Sequence, residues 1–253
     1  MCTPGTYSDS YSFDECKSCP ANQISLDGAK NISECGCLPG YGGANCLQCT
    51  PGTFSAGYSL SQCTSCSTVL ANSTSPVGAV TGGQCVCKAG FYGASCELCP
   101  QGSYCPGGSM DLLLGSTGGS GERHGTAIAC GTSKTSLAGS TAATACVCLP
   151  GFGDESCNLC NAGTFSAGGS LSPCTPCGPN QTGPAMATTN STCYCVPGHG
   201  GDICLQCPAN TYAFGGNKAG CEACPPNSSS LSGSSDVSDC GKSKRQRQNS
   251  YCA

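Results

Sequence analysis

Cysteine is the residue whose type and spacing could do chemistry in this chain, and 29 of its 253 residues are cysteine. A thiol can ligate zinc, act as a nucleophile, exchange with another thiol, or be consumed in a structural disulfide. Spacing separates these uses. From Cys160 to Cys204 six cysteines stand as C-x13-C-x2-C-x15-C-x-C-x8-C, and Cys2 to Cys46 has the same intervals. Cys49 to Cys96 repeats them with three extra residues before the C-x-C pair. Cys99 to Cys157 keeps the last three intervals and distorts the front, while Cys207 to Cys252 begins regularly and loses its ending. A fixed period of this kind determines architecture before any local element does.

The catalytic and metal uses find little support. Zinc modules bring two C-x2-C pairs onto one ion, usually with histidines, and the chain has only His124 and His199. His199 fills a slot taken elsewhere by Tyr41, Phe91 and Phe152, and His124 lies in a loop insert without an evident partner. Calcium would need oxygens from scattered acids such as Asp154 and Asp202. No G-x-S-x-G elbow, phosphate-cradling loop before a helix, or Cys-His pair is present. A thiol oxidoreductase needs its C-x2-C at a helix N-terminus in a βα fold. The sequence therefore reads as no enzyme, with no cofactor and no metal.

What must position the cysteines is a small scaffold. Only 9% of residues are charged, tryptophan is absent, and 38 glycines are spread along the length. Large apolar side chains are too scarce for one shared core, and modules this small are not stable without covalent help. Gly, Pro, Ser, Thr and Asn punctuate every window, so no helical apolar period develops. The expected fold is small and disulfide-rich: a tandem array of five cysteine-rich modules of short β-hairpins and loops, elongated, with almost no helix. The expected modules are 1–47, 48–97, 98–158 with a loop insert at 106–129, 159–205, and an incomplete 206–241, followed by a basic tail at 242–253. Modules with so little core should touch only their sequence neighbours and stack as a rod.

Within the front half of each module positions recur. Three residues after the first cysteine stands Gly5, Gly52, Gly102, Gly163 or Asn210, which marks a turn. Two residues further stands a ring: Tyr7, Phe54, Tyr104, Phe165 or Tyr212. Phe13, Leu60 and Leu171 recur near the loop's end, and are expected to pack on that ring as a two-residue apolar cluster.

The back halves read CGCLPGYGGANC, CVCKAGFYGASC, CVCLPGFGDESC and CYCVPGHGGDIC. They resemble the C-terminal half of an epidermal-growth-factor-like domain, including the glycine at Gly40, Gly90, Gly151 or Gly198. That resemblance implies the pairs Cys37–Cys46, Cys87–Cys96, Cys148–Cys157 and Cys195–Cys204. The front halves, CTPGTYSDS, CTPGTFSAG and CNAGTFSAG, resemble cysteine-rich repeats of the ephrin-receptor-like type, and more distantly tumour-necrosis-factor-receptor modules. By that analogy Cys2 pairs with Cys16 and Cys19 with Cys35, with the crossed pattern Cys2–Cys19 and Cys16–Cys35 as an open alternative. The other expected disulfide cysteines are Cys49, Cys63, Cys66 and Cys85 in the second module, Cys99, Cys105, Cys130 and Cys146 in the third, and Cys160, Cys174, Cys177 and Cys193 in the fourth. In the fifth, the same analogy implies Cys207–Cys221 and Cys224–Cys240.

Thiols at this density point to an oxidising compartment. Five N-x-S/T sequons, at Asn31, Asn72, Asn180, Asn190 and Asn227, are candidate glycosylation sites that fit a secreted chain. Nothing at the start resembles a signal peptide and no apolar run is long enough to span a membrane, so the expectation is a piece of a larger secreted or cell-surface protein. The insert with Leu112–Leu114 reads as a surface loop with a small apolar tuck. Lys242 stands where a cysteine is due, and residues 1–241 carry 6 positive and 14 negative charges, net −8. The basic tail reads as an unstructured terminus, not as a nucleic-acid contact. Its Cys252, left without a partner, is expected to form a disulfide-linked dimer. The function expected is a non-catalytic extracellular stalk, matrix component or binding surface whose partners are other extracellular proteins or glycans. The alternative is the ligand-binding ectodomain of a signalling receptor.

Overall fold

Turn-forming residues interrupt the chain so often that no strand among the described residues exceeds two residues. The computed structural model describes residues 1–9, 15–108 and 124–242. Phe13, the Leu112–Leu114 run and the tail with Cys252 lie outside them. Every described strand belongs to one of fourteen antiparallel two-stranded sheets, and among the described residues helix is limited to six single 3₁₀ turns. A two-residue ribbon cannot hold itself in water. Fourteen disulfides accompany the fourteen ribbons.

One repeat shows the plan. The front hairpin pairs Thr6–Tyr7 with Lys17–Ser18 and is closed by Cys2–Cys16. The middle hairpin pairs Gln23–Ile24 with Gly36–Cys37 and is closed by Cys19–Cys35. The back hairpin pairs Tyr41–Gly42 with Leu47–Gln48 and is closed by Cys37–Cys46. Each C-x2-C and each C-x-C is thus split between two different bonds. The second, third and fourth repeats have the same three hairpins, and the fifth has the first two. In the fifth repeat Lys242 replaces the cysteine, yet the ladder still pairs Lys242 with Ser228. The backbone register of that hairpin therefore does not need the cysteine.

The chain divides into two compact units. One is Met1–Cys130 with Ser136–Cys146, and contains seven of the sheets. The other is Gly131–Thr135 with Val147–Ala253, and contains the other seven. Inside each unit consecutive repeats are tied by backbone hydrogen bonds. In the first unit Gly40 N–H donates to Ser55 O at 2.8 Å, Cys49 N–H to Gly40 O at 2.8 Å, and Tyr58 N–H to Cys37 O at 2.7 Å. In the second, Gly198 N–H donates to Ala213 O at 2.8 Å, Cys207 N–H to Gly198 O at 2.9 Å, and Gly216 N–H to Cys195 O at 2.9 Å.

These ties explain the glycine of the C-x-C-x-x-G motif. Gly40 has φ +82°, and a Cβ there would stand 2.4 Å from Gly78 O; at Gly198 the figures are +81° and 2.3 Å from Gly233 O. A side chain would be both strained and in collision with the next repeat's backbone. The turn expected three residues after each first cysteine is present, with φ +83° at Gly5, +80° at Gly102 and +69° at Asn210.

The core is made of cystine and small residues. Cys37, Cys46, Cys99, Cys105, Cys195 and Cys204 are fully shielded, with Ala29, Ala79 and Ala187 beside them in burial. Here the expected ring-on-leucine cluster is corrected: Leu60 is 49% exposed and Leu171 38% exposed. The ring strand instead bridges a small residue, Phe54 with Ala79, Phe165 with Ala187 and Tyr212 with Ser234. A hydrogen-bonded bridge brings that backbone too close to leave room for a leucine, and the Phe54 ring edge reaches Gly82.

Candidate functional site

With most large apolar side chains at least partly exposed, function has to rest on what the cystine lattice holds and presents. Two recurrent side chains do the holding. The first is a serine twelve residues before the second cysteine of the C-x-C pair: Ser25, Ser75 and Ser136, with Ser230 placed likewise before Lys242. Each is buried. Their hydroxyls donate across to the front hairpin, Ser25 to Thr6 O at 2.8 Å, Ser75 to Thr53 O at 2.9 Å, Ser136 to Ser103 O at 2.6 Å and Ser230 to Thr211 O at 3.0 Å. In the fourth repeat Gly183 occupies the place and only its backbone takes part.

The second is an asparagine fifteen residues before the same cysteine. Asn22, Asn72 and Asn180 are left-handed, at φ 61°, 56° and 58°. Their Nδ2 groups donate to the carbonyls of Cys46 at 3.4 Å, Cys96 at 3.3 Å and Cys204 at 3.3 Å. Those cysteines are left-handed too, at φ 43°, 47° and 51°, a conformation that costs a residue with a Cβ roughly 1–2 kcal/mol. The disulfide and the asparagine amide hold them there together. Both residues recur at fixed distance from the C-x-C pair, a signal visible only when counting backward from it. Counted forward from the third cysteine, Asn72 is displaced by three residues, which the 3₁₀ turn Cys66–Thr68 absorbs.

The sequons therefore fall into different environments. Asn72, Asn180 and Asn227 hold the left-handed position ahead of a middle-hairpin strand. Asn31 caps the 3₁₀ turn Ile32–Glu34, its Oδ1 accepting from Ser33 N–H at 2.7 Å. Asn190 begins the turn Asn190–Thr192 and is exposed.

The other singled-out residues have local roles. His199 lies in the back hairpin opposite Gln206, its Nδ1–H donating to Pro197 O at 3.2 Å. His124 Nδ1 is shielded without a partner among the described residues. Asp154 stands at φ 72° where Gly43, Gly93 and Gly201 stand in the other repeats. Its Oδ2 accepts from Asn158 Nδ2 at 2.9 Å and its Oδ1 from Ser156 N–H at 2.8 Å. The Asn158 bond first, then these backbone donors, hold its carboxyl below the ordinary value against some desolvation. Tyr212 donates its hydroxyl to Glu222 at 2.9 Å, which raises its pKa, and packs edge-on to Phe214 at 5.3 Å.

Part of the second and third repeats matches a known family. The laminin EGF domain matches residues 56–109. That stretch holds the bonds Cys66–Cys85, Cys87–Cys96 and Cys99–Cys105, and over it the growth-factor-like resemblance is met. No curated protein matches the chain. The chain is thus a tandem array of disulfide-rich modules with a laminin-EGF-type stretch. Among the described residues no helix is long and apolar enough to cross a membrane.

The bonds found join the cysteines in sequence order throughout. In the first repeat they are Cys2–Cys16 and Cys19–Cys35, not the crossed pattern. The second repeat has Cys49–Cys63 beside those above, and the third has Cys130–Cys146 and Cys148–Cys157. The fourth has Cys160–Cys174, Cys177–Cys193 and Cys195–Cys204, and the fifth Cys207–Cys221 and Cys224–Cys240. Their Cα–Cα distances run from 5.2 Å at Cys37–Cys46 to 5.9 Å at Cys177–Cys193, within the range that disulfides require.

Proposed function

We propose that the chain is a non-catalytic structural and interaction segment of an extracellular or cell-surface protein, serving as stalk, matrix component or binding surface for other extracellular proteins or glycans. The observation that carries the reading is that ribbons of two residues are held by fourteen cystines. Such a scaffold survives only where thiols stay oxidised. The laminin-EGF-type stretch supports the same compartment, since modules of that type are typical of extracellular structural and interaction proteins. The front halves are read as the ephrin-receptor-like type within this array.

The surface suits repeated weak contacts. The turn that follows the first strand of the middle hairpin leaves an apolar side chain in solvent in every repeat: Leu26, Val77, Leu137, Met186 and Leu231. Apolar side chains carried on the same turn of successive modules let weak contacts add through effective concentration. Localisation of the native protein by antibody on intact and on permeabilised cells tests the reading. Staining of unpermeabilised cells or of the surrounding matrix is expected. A cytosolic pool with free thiols would overturn it.

A further inference from the structure

We infer that two of the five sequons, Asn31 and Asn190, are sites of N-linked glycan attachment, and that Asn72 and Asn180 are structural asparagines that stay unmodified. The inference rests on the extracellular reading above. In the transfer, Asn Nδ2 forms a bond to the anomeric carbon of an oligosaccharide carried on a polyprenyl pyrophosphate. The bond from that carbon to the pyrophosphate oxygen breaks, one amide proton is lost, and the lipid pyrophosphate leaves. The glycan takes the place of one of the two Nδ2 protons, so the amide needs room on that side, and the sequon must lie where a bulky polar chain can leave the surface.

At Asn72 and Asn180 that nitrogen is committed. It donates to the carbonyl of the left-handed cysteine that closes the back hairpin, Cys96 or Cys204. Asn22 makes the same bond to Cys46 and is followed by Gln23-Ile24, which is no sequon. The asparagine is thus required by the fold, and the downstream hydroxyl residue is incidental. The rest of each sequon is also engaged: Ser73 is buried, and Ser73–Thr74 and Gln181–Thr182 are ladder strands.

Asn31 and Asn190 differ in that their amide nitrogens are uncommitted and their sequons lie at 3₁₀ turns, not in ladder strands. Among the described residues their Nδ2 groups donate to nothing, since Asn31 uses only its Oδ1, toward Ser33 N–H and Ser33 Oγ. Asn31, Ile32 and Ser33 are all exposed, as are Asn190 and Ser191, whereas behind the exposed Asn72 and Asn180 the residues Ser73, Thr74, Gln181 and Thr182 are buried or half-buried. Neither place requires an asparagine: Thr81 and Ala142 stand at the cap position of Asn31, and Gly82 and Ala143 at the first turn position of Asn190.

The test is site-by-site glycan occupancy of the full chain secreted from eukaryotic cells, read by peptide mass spectrometry after enzymatic deglycosylation in heavy water, with cystines mapped on the same sample. Occupancy at Asn31 and Asn190, with none at Asn72 and Asn180, is expected. Occupancy at Asn72 or Asn180 in most molecules, or none at Asn31 and Asn190 in a chain with its cystines formed, overturns the inference. A chain that is exported without forming cystines overturns the extracellular reading, and this inference with it. A second measurement needs no glycan. In refolded unglycosylated protein, Asn180→Asp removes the donor and should lower Tm by a few degrees, while Asn190→Asp should leave it unchanged. Equal effects from the two substitutions overturn the structural half of the inference.

Discussion

The front loops of the third and fourth repeats solve one problem in two ways. In the fourth, Cys160 bonds Cys174 at the far end of the loop, a separation of 14 residues. In the third, Ala127 stands where that cysteine would be, and Cys99 bonds Cys105, only 6 residues away. The hairpins nevertheless coincide: Ser103–Tyr104 pairs with Ile128–Ala129 as Thr164–Phe165 pairs with Thr175–Pro176. Cys130 N–H donates to Gly102 O at 2.9 Å, and Cys177 N–H to Gly163 O at 2.8 Å. Cys105 N–H donates to Ser140 O at 2.9 Å in the role of Ser166 N–H to Ala187 O at 3.0 Å. The backbone lattice sets the shape, and the disulfide can be moved along it. Moving it inward leaves the loop's far end unstapled, and that is the loop that carries the long insert.

Removing each staple gives the largest expected effects. Cys160→Ala with Cys174→Ala should cost about 3 kcal/mol, and Cys99→Ala with Cys105→Ala about 2.4 kcal/mol because the closed loop is shorter. Denaturant titration of the full chain, with hydrogen exchange locating the loosened hairpin, checks both. Relocating the staple sharpens the comparison. Ser166→Cys with Cys174→Ala should let Cys160 bond the thiol introduced six residues on, preserve the Phe165 hairpin, and expose the loop behind it to proteolysis. Loss of the hairpin would show that the far cysteine, not the lattice, fixes the fourth repeat.

Two smaller differences separate the same repeats. Met186 is left-handed at φ 62° where the third repeat has Gly139 at φ 79°. Met186→Gly should therefore stabilise the fourth repeat by about 1 kcal/mol, seen as a higher Tm. Ser136 bonds Ser103 O in the third repeat, while Gly183 leaves the fourth without that bond. Ser136→Ala should cost about 1 kcal/mol by leaving a carbonyl unpaired. Gly183→Ser has room for its Cβ, the nearest atom being 3.4 Å away, and should gain part of that amount.

The smallest effect is acid loosening of the third repeat's back hairpin. Asp154 has a lowered folded-state pKa against an ordinary 3.8. Its contribution is present above that ordinary value and is lost as pH falls through the lowered one. Gly201 in the fourth repeat has no such group. Hydrogen exchange at the Ser156 and Asn158 amides should rise below about pH 4 in the wild type, and Asp154→Asn should flatten the dependence.

Much of this was legible from cysteine intervals. The period marked out the repeats, and the density of turn residues excluded helices and long strands. Other features were hidden for physical reasons. Leu60 and Leu171 are near their rings along the chain but not across it, because the bridge to Ala79 or Ala187 fills the space. Ser75 and Asn72 look like loop filler, and their roles depend on contacts 22 and 24 residues away. The sequons at Asn72 and Asn180 hide a second role in the same way, each being a left-handed asparagine followed by a strand of polar residues. The insert and Cys252 lie outside the described residues.

The central claim is that each repeat is a run of separate hairpins, each accompanied by its own sequential cystine. Peptide mapping of the native chain under alkylating, non-reducing conditions tests it most directly. The account predicts the fourteen sequential pairs, with Cys2–Cys16 and Cys19–Cys35 in the first repeat and Cys99–Cys105 in the third. Recovery of Cys2–Cys19 with Cys16–Cys35, or of most cysteines as alkylated thiols, would contradict it.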